Sequence, residues 1–243
     1  MQSGQHWEQV YTTRDATSVS WFQEHARQSM ALIRRSKLGS GDAIIDVGGG
    51  ASTLVDDLLD AGYSNVTILD LSAAALAASR GRLGERARQV TWQVGDVTQL
   101  GLPRHAYALW HDRAVFHFLT TVDEREAYVR AVLRAVRPGG HVIVATFAEN
   151  GPEKCSGLPV VRYSPERLHA EFGAPFTLLG QTRESHHTPA GAVQKFIYCW
   201  CRRESHSGDT PGGGPHSMAA SVGSAADLRE AARGRSCRWA ACP

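Results

Sequence analysis

The chain has 243 residues, enough for one domain with a full α/β core, or for one domain and a tail. Its apolar and charged content is ordinary for a globular protein, and a formal net charge of only +2 gives no electrostatic case for nucleic acid or an anionic membrane. No apolar run approaches the roughly 20 residues of a membrane helix, and the start lacks a basic-then-apolar signal pattern, so a soluble, cytoplasmic protein is the default expectation.

Residues 1–20 are polar, with scattered aromatics at Trp7 and Tyr11 and then Trp21-Phe22. Large aromatics in a polar segment need something to cover: the core edge, or a ligand over which they close. Ser20 is placed to cap a helix running to about Lys37, with Phe22, Ala26, Met30 and Ile33 on one face. Arg34, Arg35 and Lys37 suit the negative end of that helix.

Ile44-Ile45-Asp46-Val47 is a short apolar run ending near an acid. It leads through Gly48-Gly49-Gly50-Ala51-Ser52-Thr53 into a helical pattern that Gly62 ends. Buried strand, tight turn and helix start form a cradle whose free N–H groups face a ligand. Gly48 and Gly50 fit the first two places of a dinucleotide fingerprint, but Thr53 holds the third. Asp46 stands where a pyrophosphate would rest and would repel it. It suits a donor with positive charge and no phosphate, such as S-adenosylmethionine.

Val66 to Asp70 reads as a second strand with Asp70 at its tip, 24 residues after Asp46, where an acid meets ribose hydroxyls. Leu71 lies beside it, and Ser72 caps the alanine-rich helix that follows. Val90 to Val94 is a third strand, followed by Asp96 and Val97. Taken alone, Asp96 is a loop-capping acid. Taken with Asp46 and Asp70, it completes three acids at the ends of three successive strands, the edge at which open α/β sheets bind ligands.

Tyr107 to Trp110 is the fourth strand, and His111, Asp112, Arg113 and His117 crowd its end. One reading is structural, with Asp112 and Arg113 paired and His117 in the core. The other makes His111 or Asp112 a base, with Arg113 and His117 orienting a substrate. No carboxylate or thiol stands at metal-ligand spacing from the histidines, so no metal is expected. Thr121 to Glu124 offers a capping box for a helix that Arg137-Pro138-Gly139-Gly140 stops. His141 to Phe147 is the fifth strand, and 148–162 is a loop over the strand ends. Ser164-Pro165 starts a helix to about Phe172. Phe176 to Gly180 and Gln194 to Cys201 read as an antiparallel edge pair, with Glu184 to Pro189 in their connection. His186 and His187 cannot both face one site from an extended segment, and of the two His187 is expected to take a substrate role.

The order Asp46-x-Gly48-x-Gly50-x-Ser52, the acid Asp96, and the string Leu133 to Val144 with its Arg-Pro-Gly-Gly turn resemble the class I S-adenosylmethionine-dependent methyltransferases. The run His6-Trp7-Glu8-Gln9-Val10-Tyr11 with Ser20-Trp21-Phe22 resembles the methyltransferase type-12 and lysine-methyltransferase-like group. The resemblance covers roughly residues 6–203. It implies a Rossmann-like, doubly wound, seven-stranded, mostly parallel sheet with an antiparallel edge pair and helices on both faces. It implies S-adenosylmethionine as cofactor, with Asp96 accepting from the adenine amino group, the Val97 backbone on the ring edge, and Trp7, Tyr11 and Trp21 over the methionine end. His111 is placed with them. It further implies methyl transfer to N, O or S of a small molecule or protein side chain. A non-catalytic protein that keeps the pocket, and a nicotinamide oxidoreductase, are the alternatives.

No Asn-Pro-Pro-aromatic string, Pro-Cys nucleophile or RNA-binding module is present, so a nucleic-acid substrate is disfavoured. None of the five cysteines forms a C-x-x-C pair, and Cys199 and Cys201 read as free thiols. One methyltransferase domain is expected over residues 1–203, its first 40 residues forming a lid and helix. A flexible Gly- and Ser-rich tail is expected over 204–243, with a short helix from Ser224 to Gly234.

Overall fold

A computed structural model describes residues 4–205 of the chain. Of the tail expected over 204–243, all but its first two residues, and with them the short helix, lie outside the described residues. Seven strands form one sheet: β1 (Ile44–Val47), β2 (Val66–Asp70), β3 (Val90–Val94), β4 (Tyr107–Arg113), β5 (Val136–Phe147), β8 (Phe176–His187) and β9 (Val193–Arg203). Two short strands of the 148–162 loop, β6 (Lys154–Cys155) and β7 (Leu158–Pro159), pair only with each other. The sheet order is β3-β2-β1-β4-β5-β9-β8, parallel except for β9 and β8. This is the expected doubly wound sheet, with its antiparallel edge pair. The order reverses at β1, so the crevice beyond its carboxyl end is the ligand position of such a fold.

Helices cover both faces. Helices α2 (Arg27–Arg35), α3 (Leu54–Asp60) and α4 (Ala73–Leu83) pack one apolar cluster, built on Ile33, Leu54, Leu58 and Ile68. Helices α5 (Val122–Ala135) and α6 (Pro165–Phe172) pack the other, built on Trp110, Phe116, Tyr128 and Phe172. Strands β1 and β2 are buried along their whole length, which is why they read as unbroken apolar runs rather than alternations. Ser72 caps α4, and Thr121 with Glu124 forms the capping box of α5, both as the sequence indicates. Cys199 and Cys201 are buried free thiols on one face of β9, while Trp200 points to the other.

Four local readings need correction. Residues Gly4–Thr13 form a helix, α1, rather than irregular polar chain. Ser20 caps nothing: α2 starts only at Arg27, and the Ala26 amide is held by Asp57 of α3 at 2.7 Å. The Arg-Pro-Gly-Gly turn does not precede the fifth strand. It lies inside β5 as an irregularity, between the Tyr107–Val136 and Leu109–His141 pairs. Strands β4, β8 and β9 run further than their apolar cores suggest, so Glu184, His186 and His187 are strand residues and His111 and Asp112 sit inside β4.

Candidate active site

Beyond the carboxyl ends of β1, β2 and β4 lie two adjoining cavities that share Tyr11, Trp21, Gly48 and Arg113. The larger is mostly apolar and is lined by Trp7, Leu71, Val97, Phe118 and Cys155, with Asp70. The smaller is more polar and holds Asp46, Ser29, Ser52 and His111.

The glycine turn is built for close approach. Gly48 takes φ +70, a left-handed conformation that suits glycine, and the side chain of Val115 lies directly over it. A Cβ at Gly50 would fall 2.5 Å from Asp70 Oδ2 and 2.6 Å from Ala75 Cβ. That space is closed to any other residue because the Gly50 amide donates to Asp70 at 3.0 Å. The Ser72 amide donates to the other Asp70 oxygen at 2.8 Å. Burial nevertheless pushes the Asp70 carboxyl up to about 6, against the pull of those amides.

Asp46 and His111 are register partners on β1 and β4. His111 Nδ1 lies 2.7 Å from Asp46 Oδ1, and His111 Nε2 lies 2.8 Å from Ser29 Oγ on α2. The second Asp46 oxygen is buried against Gly49 and has no hydrogen-bond partner among the described residues. A buried carboxylate oxygen left unpaired is costly, and a cationic ligand group would satisfy it.

The N-terminal segment covers the cavities. Trp7 packs edge-on against Trp21 at 5.8 Å and Phe118 at 5.1 Å, and Trp21 Nε1 donates to the Tyr11 hydroxyl at 3.1 Å. Glu8 fastens α1 to the start of α4: its Oε2 accepts from Ser72 Oγ at 2.7 Å and from the Ala74 amide at 3.2 Å. The Ser72 hydroxyl first, and then the Ala74 amide, hold the Glu8 carboxyl below its ordinary range. Arg82 braces the other side of the turn, donating to the Ala51 and Ser52 carbonyls and pairing with Asp56.

Of the residues singled out from sequence, Trp7, Tyr11, Trp21, Asp46, Gly48, Ser52, Asp70, Leu71, Val97, His111 and Arg113 line one or both cavities. Gly50 acts from behind, through Asp70. Asp96 does not line them. Its carboxylate accepts from the Thr98 amide, the Thr98 hydroxyl and Gln99, so it caps its own loop while Gly95 and Val97 line the wall. Asp112 points to the opposite face from His111, because neighbours in a strand alternate. It is fully buried, accepts from the Val115 and Phe116 amides and from the Tyr128 hydroxyl, and has its carboxyl pushed up to about 6 by burial.

His117 is a core histidine packed on Phe118 and Phe147, with its pKa pushed down to about 3 by burial and then by Arg113. His187 is exposed and lines an outer groove. Its neighbour His186 is the buried one, with Nε2 2.8 Å from the Ser20 carbonyl oxygen. Sequence reasoning missed Glu8, Ser29, Arg82 and Glu184. Glu8 and Glu184 stood inside runs quoted for their neighbours, His6 to Tyr11 and Glu184 to Pro189, but nothing local marked their partners.

Comparison with known proteins agrees with this geometry. The family described as "Methyltransferase domain" matches residues 44–140. The chain is 26% identical over 141 residues to the "eEF1A lysine and N-terminal methyltransferase" of Mus musculus, covering 58% of this chain but only 20% of that protein. It is 22% identical over 189 residues to "EEF1A lysine methyltransferase 2" of Homo sapiens, covering 72% of this chain and 74% of that one. The crystal structure of a SAM-dependent methyltransferase from Anabaena variabilis superposes with a TM-score of 0.63 at 16% identity, covering 83% of this chain and 95% of that one, a likeness of fold.

Proposed function

We propose that this chain, which has the fold of the class I S-adenosylmethionine-dependent methyltransferases and is homologous to them, transfers a methyl group from S-adenosylmethionine to N, O or S of a small molecule or protein side chain. The observation that carries the reading is the pair of buried carboxylates at neighbouring strand tips. Asp70 stands over a turn that only glycine fits, and Asp46 keeps one oxygen unpaired at the more polar cavity. A pyrophosphate would be repelled there, which sets aside a nicotinamide cofactor.

Asp70 would hold the ribose hydroxyls, the Gly48–Gly50 turn and Asp46 the cationic methionine end, and Leu71 and Val97 the adenine. Bound there, the cofactor supplies an electrophilic methyl on a sulfonium. Trp7, Tyr11 and Trp21 exclude water and offer aromatic faces to positive charge. Arg113, at the tip of β4, orients the acceptor. His111 serves as a positioning residue in this arrangement, since both ring nitrogens are engaged, and the rate comes chiefly from alignment.

Isothermal titration with S-adenosylmethionine, S-adenosylhomocysteine and NAD tests the cofactor assignment. Release of S-adenosylhomocysteine against metabolite and protein panels tests the transfer. Binding without release on any panel would favour a non-catalytic binding protein.

A further inference from the structure

Arg113 is the only lysine or arginine among the described residues that lines either cavity, and it lines both. Its side chain is 10% exposed, and the guanidinium lies over the Phe196 ring at 4.2 Å. Nε donates to the Tyr198 hydroxyl at an ordinary 3.0 Å, but the two terminal nitrogens have only long contacts: Nη1 to the Trp21 carbonyl at 3.3 Å and Nη2 to Glu184 at 3.4 Å. Glu184 is held more closely by others, accepting from Gln23 at 2.7 Å and Tyr198 at 2.8 Å. It lines the outer groove and neither cavity. The ion pair is therefore oriented, with its positive end toward the cavities and its negative end away. A five-donor fork with three donors used, two of them in long contacts from its terminal nitrogens, keeps capacity for a further acceptor.

The rest of that wall is apolar: Trp7, Trp21, Phe118, Leu119 and Cys155. The carboxylates that line the cavities, Asp46 and Asp70, come from β1 and β2, and Arg113 comes from β4. The site is bipolar, with acids for a cationic donor and one cation where the acceptor must stand. Among the described residues, none of the groups considered as a base stands ready to take a proton from the acceptor: His111 is engaged at both nitrogens, and Asp112 and His117 are in the core.

Resting on the methyltransferase reading, we propose that the acceptor is a small apolar molecule whose nucleophile is already an anion, a carboxylate or a thiolate, paired with Arg113. A lone pair on the acceptor oxygen or sulfur forms the new bond to the methyl carbon. The carbon–sulfur bond of the sulfonium breaks, and its electrons return to sulfur. The products are a neutral ester or thioether and neutral sulfur, and no proton has to leave. Opposite charges disappear in this step, so an apolar, water-excluding wall speeds it. An amine acceptor would arrive as a cation beside Arg113, need a base, and keep its charge.

The test reads the donor first and the acceptor second. Titration of the protein with S-adenosylmethionine alone must show binding; its failure removes the methyltransferase reading and this inference with it. Benzoate, thiophenolate and benzylamine are then titrated into the S-adenosylhomocysteine complex, and their turnover with S-adenosylmethionine is followed. At least one anion is expected to bind about tenfold tighter than benzylamine, and the one methylated identifies the atom. Arg113→Gln is expected to erase that difference while still binding S-adenosylmethionine, and Arg113→Lys to restore part of it. Benzylamine binding as tightly as the anions, neither anion binding, or Arg113→Gln leaving anion affinity unchanged would each overturn the proposal.

Discussion

Asp46 and His111 meet across neighbouring parallel strands, 2.7 Å apart, with each side chain 3% exposed. His111 in turn reaches Ser29, so one imidazole ties β1 and β4 to α2 at the edge of the more polar cavity. Removing it leaves a buried carboxylate without its partner, which costs on the order of 3–5 kcal/mol. His111→Ala is expected to lower stability by that scale in denaturant unfolding and to weaken S-adenosylmethionine binding. His111→Asn, which keeps a donor toward Asp46, is expected to recover part of both. If His111→Ala instead loses turnover with full stability and full cofactor affinity, His111 is a base rather than a positioning group.

Asp70 gives a pH dependence with a defined sign. Burial raises its carboxyl to about 6, above the unfolded value, so the folded protein takes up this proton first as pH falls. Its contribution to stability is therefore fully present below the unfolded carboxylate range and is lost as pH rises through about 6. Cofactor binding runs the other way, because ribose hydroxyls need an ionised acceptor. The affinity for S-adenosylmethionine is expected to fall as pH drops below about 6. Asp70→Asn is expected to weaken it by roughly 1–3 kcal/mol and to flatten the profile. Calorimetry across that pH range decides; an unaltered profile in the variant means Asp70 does not carry the hydroxyl contact.

Asp112 is expected to behave as a structural acid. It holds the start of the turn after β4 through the Val115 and Phe116 amides and is anchored by Tyr128. Asp112→Asn leaves one of these donors poorly matched, a loss of about 1–3 kcal/mol in stability. Turnover per folded molecule should change little. A collapse of kcat at undiminished stability would restore Asp112 as the proton acceptor.

The split between these two neighbours marks the limit of what the sequence carries. The glycine turn, the acids at the strand tips and the caps of α4 and α5 are local features, and each was legible from a few adjacent residues. Which of His111 and Asp112 faces the ligand depends on strand parity. The apolar run ends at Trp110, but β4 continues to Arg113, with Ala145 of β5 as register partner at that end. Ser29, Glu8 and Glu184 were illegible for another reason. Their partners His111, Ser72 and Arg113 lie 82, 64 and 71 residues away, and nothing local marks such a pairing. Asp96 reads locally as a loop cap, and its contacts with Thr98 and Gln99 are those of one.

Glu8 is expected to govern the closing of the aromatic cover. It joins α1, which carries Trp7 and Tyr11, to the N-terminus of α4 beside Asp70. Its carboxyl is held below the ordinary range, so the tie is present above the unfolded value and is lost as pH falls through the folded one. Glu8→Gln is expected to raise amide exchange in residues 7–13 and to speed S-adenosylhomocysteine release. Protection factors unchanged in that helix would show that aromatic packing alone holds it.

The most direct test of the central claim is calorimetric titration of S-adenosylmethionine into the wild-type chain and into Gly50→Val, whose side chain would occupy the space against Asp70. The account predicts saturable binding to the wild type, no comparable binding of NAD, and loss of S-adenosylmethionine binding in the folded variant. Absence of binding to the wild type at millimolar cofactor, or equal affinity in the variant, would contradict it.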